Sequence, residues 1–279
     1  MHGVRAASIQ LTLDQQRAAD AAIGPPHIQG QNVFITGPAG TGKTSVTDYV
    51  MRNLVVKYGN PVSVVRAAPT HGATQNLNCP DSGRISTIPA LFRTFPVYVT
   101  RDQPPLADNA SVKQRRKVEE KLRDAHWKEK KDRSKAKFGG PDYFTREMNE
   151  VRVVHFDEIS MVSGRVLEAI EYICRETSGN MGVLFGGKQI IITGDRAQLP
   201  TVQARGMKYD MFYPLAPGEA PKRFDQAVFE LQGPNGPRSV GFYEAFNLYP
   251  LWVNFRVTPN DLYMRYLLQN VRYGQLDEF

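Results

Sequence analysis

The densest chemistry in this sequence lies in the run Gly37, Pro38, Ala39, Gly40, Thr41, Gly42, Lys43, Thr44. The spacing G-x-x-x-x-G-K-T suits a loop that cradles phosphate. Glycines let backbone N–H groups turn toward phosphate oxygens, and a helix starting at the end of the loop adds the positive end of its dipole. In such a loop Lys43 would reach the β- and γ-phosphates of a nucleotide and Thr44 would ligate Mg²⁺. The alternative is a plain Gly-rich turn. The β-prone run "NVFIT" (32–36) before the loop and the helical pattern through about Tyr58 after it are the context a phosphate loop requires.

Two acids and an amide extend this chemistry. "VVHFDEIS" places Asp157 and Glu158 at the end of an apolar run. There the first carboxylate would hold Mg²⁺ through water and the second would accept the proton of an attacking water. An isolated Asp-Glu pair is an ordinary solvated strand end, and it gains meaning only beside the phosphate loop. "ITGDRAQLP" adds Gln198, which would hydrogen-bond both the γ-phosphate and the lytic water, or else sits in a polar loop stiffened by Pro200.

These residues need elements that bring them together, and the chain supplies alternating strand and helix signals. Strands are expected at 32–36, 61–70, 151–158 and 188–195, with helices after the first and, from His71 or Gly72 to Leu77, after the second. The pattern implies an α/β fold with a doubly wound parallel sheet, in which ligands bind outside the carboxyl ends of the strands. All four strands would then deliver their last residues to one edge. Between about 97 and 142 the alternation breaks into a proline-flanked, charge-dense insertion.

Composition sets outer limits. A chain of 279 residues with 41% apolar content can bury a large core. Cys79 and Cys174 are too few for a disulfide framework and lack metal-ligand spacing, which implies inert thiols in a reducing compartment. No apolar run approaches the ~20 residues of a membrane span, and "MHGVRAASIQLTL" lacks a secretory core, although its acid-free start with Arg5 also fits the remnant of an organelle presequence. An intracellular protein without a membrane partner is expected. The net charge of +7 is local: residues 111–137 hold twelve Lys/Arg against five Asp/Glu. That segment, with Arg115, Arg116 and Lys117, is either a footprint for a phosphate backbone or a solvated helix with ordinary ion pairs.

Taken in order, "LTLDQQ", "GPAGTGKT", "AAPTHGATQNL", "FDEISM", "GDRAQLP" and "NFRVTPNDLYMRYLLQNVRYGQL" resemble the petite-integration-frequency (PIF) family of 5′-to-3′ DNA helicases in superfamily one. The likeness runs from Leu11 to Leu276. "DEISM" is its most specific part, since the related RecD-type helicases usually carry alanine where Ile159 stands. The resemblance implies a RecA-like P-loop NTPase fold, ATP and Mg²⁺ as cofactors, and single-stranded and forked DNA as partners of a monomeric motor acting in repair, recombination, replication or telomere maintenance, in the nucleus if the source is eukaryotic or in a mitochondrion. It also implies residue roles. Gln15 would read the adenine edge, although by itself it belongs to a helix-capping segment. Thr70, with His71 beside it, would contact the single-strand backbone, and Arg256 would sense the γ-phosphate, its alternative being a buried structural arginine.

Some positions depart from the family pattern. His71 stands where glycine is usual and Pro89 where histidine is usual. The family's "T.H..QG.T" motif and late "ALSR"-type arginine do not occur before Phe279. The expected organisation is a first RecA-like domain over 1–255 and the start of a second over 256–279, as in a fragment or a degenerate gene product. Three readings follow: the first half of a helicase motor, a non-motor nucleotide- or DNA-binding remnant, or a RecD-type helicase.

Overall fold

A computed structural model of the chain describes residues 10–77, 84–92, 141–198, 209–210, 213–214, 223–234, 236–258, 260–261, 263–264 and 266–267. The insertion expected over 97–142, except its last two residues, lies outside them. So do the basic segment with Arg115, Arg116 and Lys117, Cys79, Pro200 and residues 268–279.

Six of the described strands form one all-parallel sheet: β1 (Val33–Thr36), β2 (Val64–Ala68), β3 (Arg84–Thr87), β4 (Val153–Phe156), β5 (Gln189–Gly194) and β10 (Asn247–Pro250), in the order β10-β1-β5-β4-β2-β3. Two short antiparallel pairs lie outside it: β6 (Tyr209–Asp210) with β7 (Tyr213–Pro214), and β8 (Val228–Gly233) with β9 (Gly236–Gly241). The α/β fold with a parallel sheet read from the alternating pattern is borne out. Each expected strand is present in shortened form. Residues 61–63 are a 3₁₀ turn instead of strand, because Pro61 sits in its first turn and the Asn60 side chain accepts the Val62 N–H at 3.0 Å.

Strands β1, β2, β4 and β5 are covered on both faces, so successive residues enter different cores. On one face Val33, Ile35, Val64, Val153 and Ile191 meet helices α1 (Leu13–Ile23) and α2 (Lys43–Tyr58) through Ala18, Ala22, Val46, Val50 and Leu54. On the other, Phe34, Val65, Val154, Phe156, Ile190 and Ile192 are covered by α5 (Pro141–Glu150), α6 (Gly164–Ser178) and the segment from Phe224 through β8 to Phe246. The short helices α3 (His71–Gln75) and α4 (Ile88–Leu91) pack by β2 and β3, and α4 adds Ile88 and Leu91 to the second core. Pro89, unusual against the PIF pattern, fits the first turn of α4, where its missing N–H costs nothing, and Thr87 caps that turn by accepting the Ala90 N–H at 3.2 Å.

The second core contains an aromatic cluster. Phe242, in the short helix α7 (Phe242–Ala245), meets Phe34, Phe224 and Phe246 at ring-centroid distances of 5.6, 5.4 and 4.8 Å. It ties residues 224–246 to β1. Cys174 is buried there too, and its thiol is pushed up to about 12 by burial, so it is inert as expected. No helix among the described residues is long and apolar enough to cross a membrane.

Phe242→Ala should therefore lower stability by about 3–5 kcal/mol, with Phe242→Leu costing clearly less. A urea midpoint unchanged by the alanine would show that residues 224–246 do not share the core of the sheet.

Candidate nucleotide-binding site

The carboxyl ends of the sheet strands converge on one edge, where β1 runs into the loop 37–42 and then into α2. Gly40 and Gly42 have φ of 85° and 80°, a left-handed conformation costly for any residue with a Cβ. Crowding closes both positions further. A Cβ on Gly42 would lie 2.6 Å from Gln15 Nε2, and one on Gly40 2.8 Å from both Asn254 Oδ1 and Arg256 Cγ. Gly42 is also the N-cap of α2 and brings no side chain to the first-turn N–H groups. By contrast Thr70, Thr87 and Ser163 cap α3, α4 and α6 with their hydroxyls.

Lys43 curls back over the loop and donates to the carbonyls of Gly37 at 2.7 Å and Pro38 at 3.0 Å. Thr41 is buried, and its hydroxyl donates to the Pro38 carbonyl at 2.9 Å. Thr44 occupies the first turn of α2 beside Lys43. The loop thus gathers an ammonium, helix N–H groups without a side-chain cap and two left-handed glycines, a donor set that suits a polyphosphate.

Across the edge, the end of β4 delivers Asp157 and Glu158. The Asp157 N–H extends the ladder to the Ala67 carbonyl at 2.9 Å, and its Oδ1 accepts the Thr193 hydroxyl at 2.6 Å. Glu158 follows with φ 50° and ψ 45°, left-handed in a residue that seldom adopts that region. It is half-buried. Burial first and then the charge of Asp157 push its carboxyl above the ordinary glutamate value, Asp195 adds to the rise, and Lys43 opposes it. Ile159, the residue that separates the PIF pattern from RecD, is fully buried, and a Cβ on Gly194 would come within 2.7 Å of its Cγ2. Gln198 sits in the turn after β5, its N–H donating to the Asp195 carbonyl at 3.0 Å.

The chain beyond β10 returns over the loop. The Phe255 N–H donates to the Gly40 carbonyl at 2.8 Å, Asn254 Nδ2 to the Ala39 carbonyl at 3.1 Å, and the Trp252 N–H to Asp14 Oδ2 at 2.9 Å. Arg256 is carried with them and is exposed beside Gly40, so it is not the buried structural arginine of the alternative reading. Gln15 is buried against the loop: Nε2 donates to the Thr41 carbonyl at 3.0 Å, and Oε1 accepts the Thr12 N–H at the start of α1. Both ends of its amide have protein partners, so the capping role and the contact with the loop coexist. Thr70 and His71 are exposed at the end of β2, and Thr70 Oγ1 accepts the Ala73 N–H at 3.2 Å.

The structure therefore gathers Gly37 to Thr44, Asp157, Glu158, Gln15 and Arg256 around one edge, with Thr70 and His71 along it. Asp195, Asn254 and Phe255 also belong to the site. The sequence signal for Asp195 was "ITGD", an acid closing an apolar strand, as Asp157 does.

A family model described as an AAA domain matches residues 19–204. The chain belongs to the AAA domain family. This AAA domain chain is 28% identical over 201 residues to the ATP-dependent DNA helicase RRM3 of Saccharomyces cerevisiae, a match covering 72% of this chain and 22% of that protein. Its fold is similar to that of the Pif1 helicase of Candida albicans, with a TM-score of 0.61 and 24% identity over 97% of this chain and 46% of that one. It is also similar to a Bacteroides Pif1 solved with ADP-AlF3 and single-stranded DNA, with a TM-score of 0.54 and 22% identity over 96% and 48% of the two chains. The PIF resemblance drawn from the motifs and the RecA-like fold it implied are borne out. The chain spans about half the length of those Pif1 structures.

If Glu158 serves as the base of a hydrolysis reaction, it must be ionised to act. Activity should then fall as pH drops through a pKa raised above the ordinary 4.5, placing the acid limb higher than an unperturbed glutamate would. Glu158→Gln should leave nucleotide binding in place and slow turnover by ~10² to 10⁴-fold. An acid limb that persists unchanged in Glu158→Gln would assign it to another group.

Proposed function

We propose that this chain is the first motor domain of an ATP-dependent 5′-to-3′ DNA helicase of the PIF type, with a boundary near residue 255 to a second RecA-like unit. The observation that carries this reading is the meeting of loop 37–44, the Asp157–Glu158 pair and the returning segment 252–257 at one sheet edge. RRM3 is named an ATP-dependent DNA helicase, and the Bacteroides Pif1 was solved with nucleotide and single-stranded DNA.

In this reading Lys43 and the N–H groups at the start of α2 would bind the phosphates, while Thr44 and Asp157 would hold Mg²⁺. Mg·ATP supplies an activated γ-phosphoryl group. Glu158 takes the proton of the attacking water, Gln198 orients that water, and Arg256 meets charge that develops on the transferred group. Gln15, whose amide caps α1 and touches the loop, would read the adenine edge. Single-stranded and forked DNA is the second substrate, with Thr70 and His71 at its backbone and the basic residues Arg115, Arg116 and Lys117 as phosphate contacts. The protein works as a monomer, in the nucleus if its source is eukaryotic or in a mitochondrion.

Two experiments test the proposal on the intact gene product. Strand displacement should require ATP, start from a fork with a 5′ single-stranded tail and vanish in Lys43→Ala, which should also bind Mg·ATP weakly while remaining folded. Unwinding from a 3′ tail alone would refute the polarity, and binding of ATP and DNA without any displacement would mark a non-motor module. Replacing Arg115, Arg116 and Lys117 by glutamine should weaken single-stranded DNA binding and lower its salt slope by about 0.7 per lost contact. An unchanged slope returns that segment to a solvated surface.

A further inference from the structure

Strands buried on both faces should carry apolar side chains, yet β2 and β4 each place one strong polar group under α2: Arg66 and His155, paired across the sheet and fully buried. They belong to a continuous hydrogen-bonded chain. Arg66 Nη1 pairs with Asp48 and Nη2 donates to Thr47 Oγ1 at 3.3 Å, both on α2 one turn beyond Lys43 and Thr44. Arg66 Nε donates to His155 Nδ1 at 3.3 Å. His155 Nε2 lies 2.8 Å from Thr193 Oγ1 on β5, which in turn lies 2.6 Å from Asp157 Oδ1.

The donors fix the direction of this relay. A guanidinium N–H can only donate, so His155 Nδ1 must accept, and the imidazole proton sits on Nε2. Nε2 then donates to Thr193 Oγ1, whose own proton is left with two acceptors: Asp157 Oδ1 at 2.6 Å and the Phe156 carbonyl at 3.3 Å. The shorter, charge-assisted bond to the carboxylate takes it. From Arg66 Nε onward each proton points toward Asp157, while Nη1 and Nη2 point back to Asp48 and Thr47 on α2.

We infer that Arg66, His155 and Thr193 are positioning residues that hold Asp157 by one oxygen and tie it to the helix carrying the phosphate loop. The two halves of the cation site, Thr44 on α2 and Asp157 beyond β4, are thereby set against each other through the sheet. This inference rests on the reading of Asp157 as a Mg²⁺ ligand. All three are buried within strands and lie outside loop 37–44, so their effect should appear in cation affinity and not in nucleotide affinity alone.

The test uses Mn²⁺ as the probe, titrated into the ADP-saturated chain and followed by the EPR signal of free Mn²⁺, with ADP affinity measured separately in EDTA. Thr193→Val keeps the volume and removes the hydroxyl. Mn²⁺ binding should weaken by about 10-fold, the lower end for losing a residue that orients a metal ligand, with ADP affinity in EDTA unchanged. Thr193→Ser should restore wild-type Mn²⁺ binding, which a loss of packing alone would not do. Should Thr193→Val fail to fold, Thr193→Cys, of similar volume and with a weaker S–H donor, takes its place: intermediate Mn²⁺ affinity supports the relay and wild-type affinity refutes it. Wild-type Mn²⁺ affinity in Thr193→Val, or a serine variant as weak as the valine, overturns the relay alone. Absence of ADP binding by the wild-type chain overturns the nucleotide reading, and the relay with it.

Discussion

The constraint on which the rest depends is a parallel sheet covered on both faces. Its inner strands β1, β2, β4 and β5 offer almost no side chain to solvent, because α1 and α2 close one face and α5, α6 and the aromatic segment close the other. Chemistry is displaced to the strand ends. The phosphate loop, Thr70, the Asp157–Glu158 pair and Asp195 all occur at the first turn after a strand, and the return over the loop begins where β10 stops. Shared direction alone brings residues far apart in sequence to one edge.

Charged groups are concentrated at that edge. The Lys43 ammonium is held by the carbonyls of its own loop, and the carboxylates of Asp157, Glu158 and Asp195 lie close enough together that two of them raise the third. Lys43 partly offsets that rise, so charges of both signs already meet at this edge. The left-handed backbone at Glu158 belongs to the same arrangement, since it turns the chain sharply after Asp157 and lets adjacent carboxylates have different surroundings.

Much of this edge was legible in the sequence. The glycine spacing from Gly37 to Gly42 maps onto two left-handed positions that only glycine fills easily, and the apolar runs ending in acids locate β4 and β5 within a few residues. Strands β3 and β10 were not legible. Each is four residues long at an edge of the sheet and partly exposed, so neither reads as the continuous apolar run of a doubly buried strand. Of the return of 252–257 over the loop only Arg256 was read, through the PIF motif; the N–H contacts of Trp252 and Phe255 leave no mark on residue type. Arg66 and His155 did leave a signal. A lone arginine in "VVRAA" and a lone histidine in "VVHF" break runs that should be wholly apolar, but only the register of β2 against β4 shows that they face each other.

That pair also explains why such a costly group is tolerated. A guanidinium taken wholly out of water must be matched nearly donor by donor, and Arg66 finds a carboxylate, a hydroxyl and a ring nitrogen in Asp48, Thr47 and His155. Burial and the adjacent cation hold the imidazole well below its ordinary value, so it stays neutral and accepts the Nε proton instead of repelling it. Removing one partner of a buried pair strands the other and costs about 3–5 kcal/mol, so the members of such a chain fix one another's position. A hydrophobic residue at position 66 would pack more cheaply against α2, but it would transmit no orientation to the hydroxyl of Thr193. The polar chain under α2 is thus a rigid strut rather than a source of stability, joining the helix that starts at Lys43 to the carboxylate that faces it.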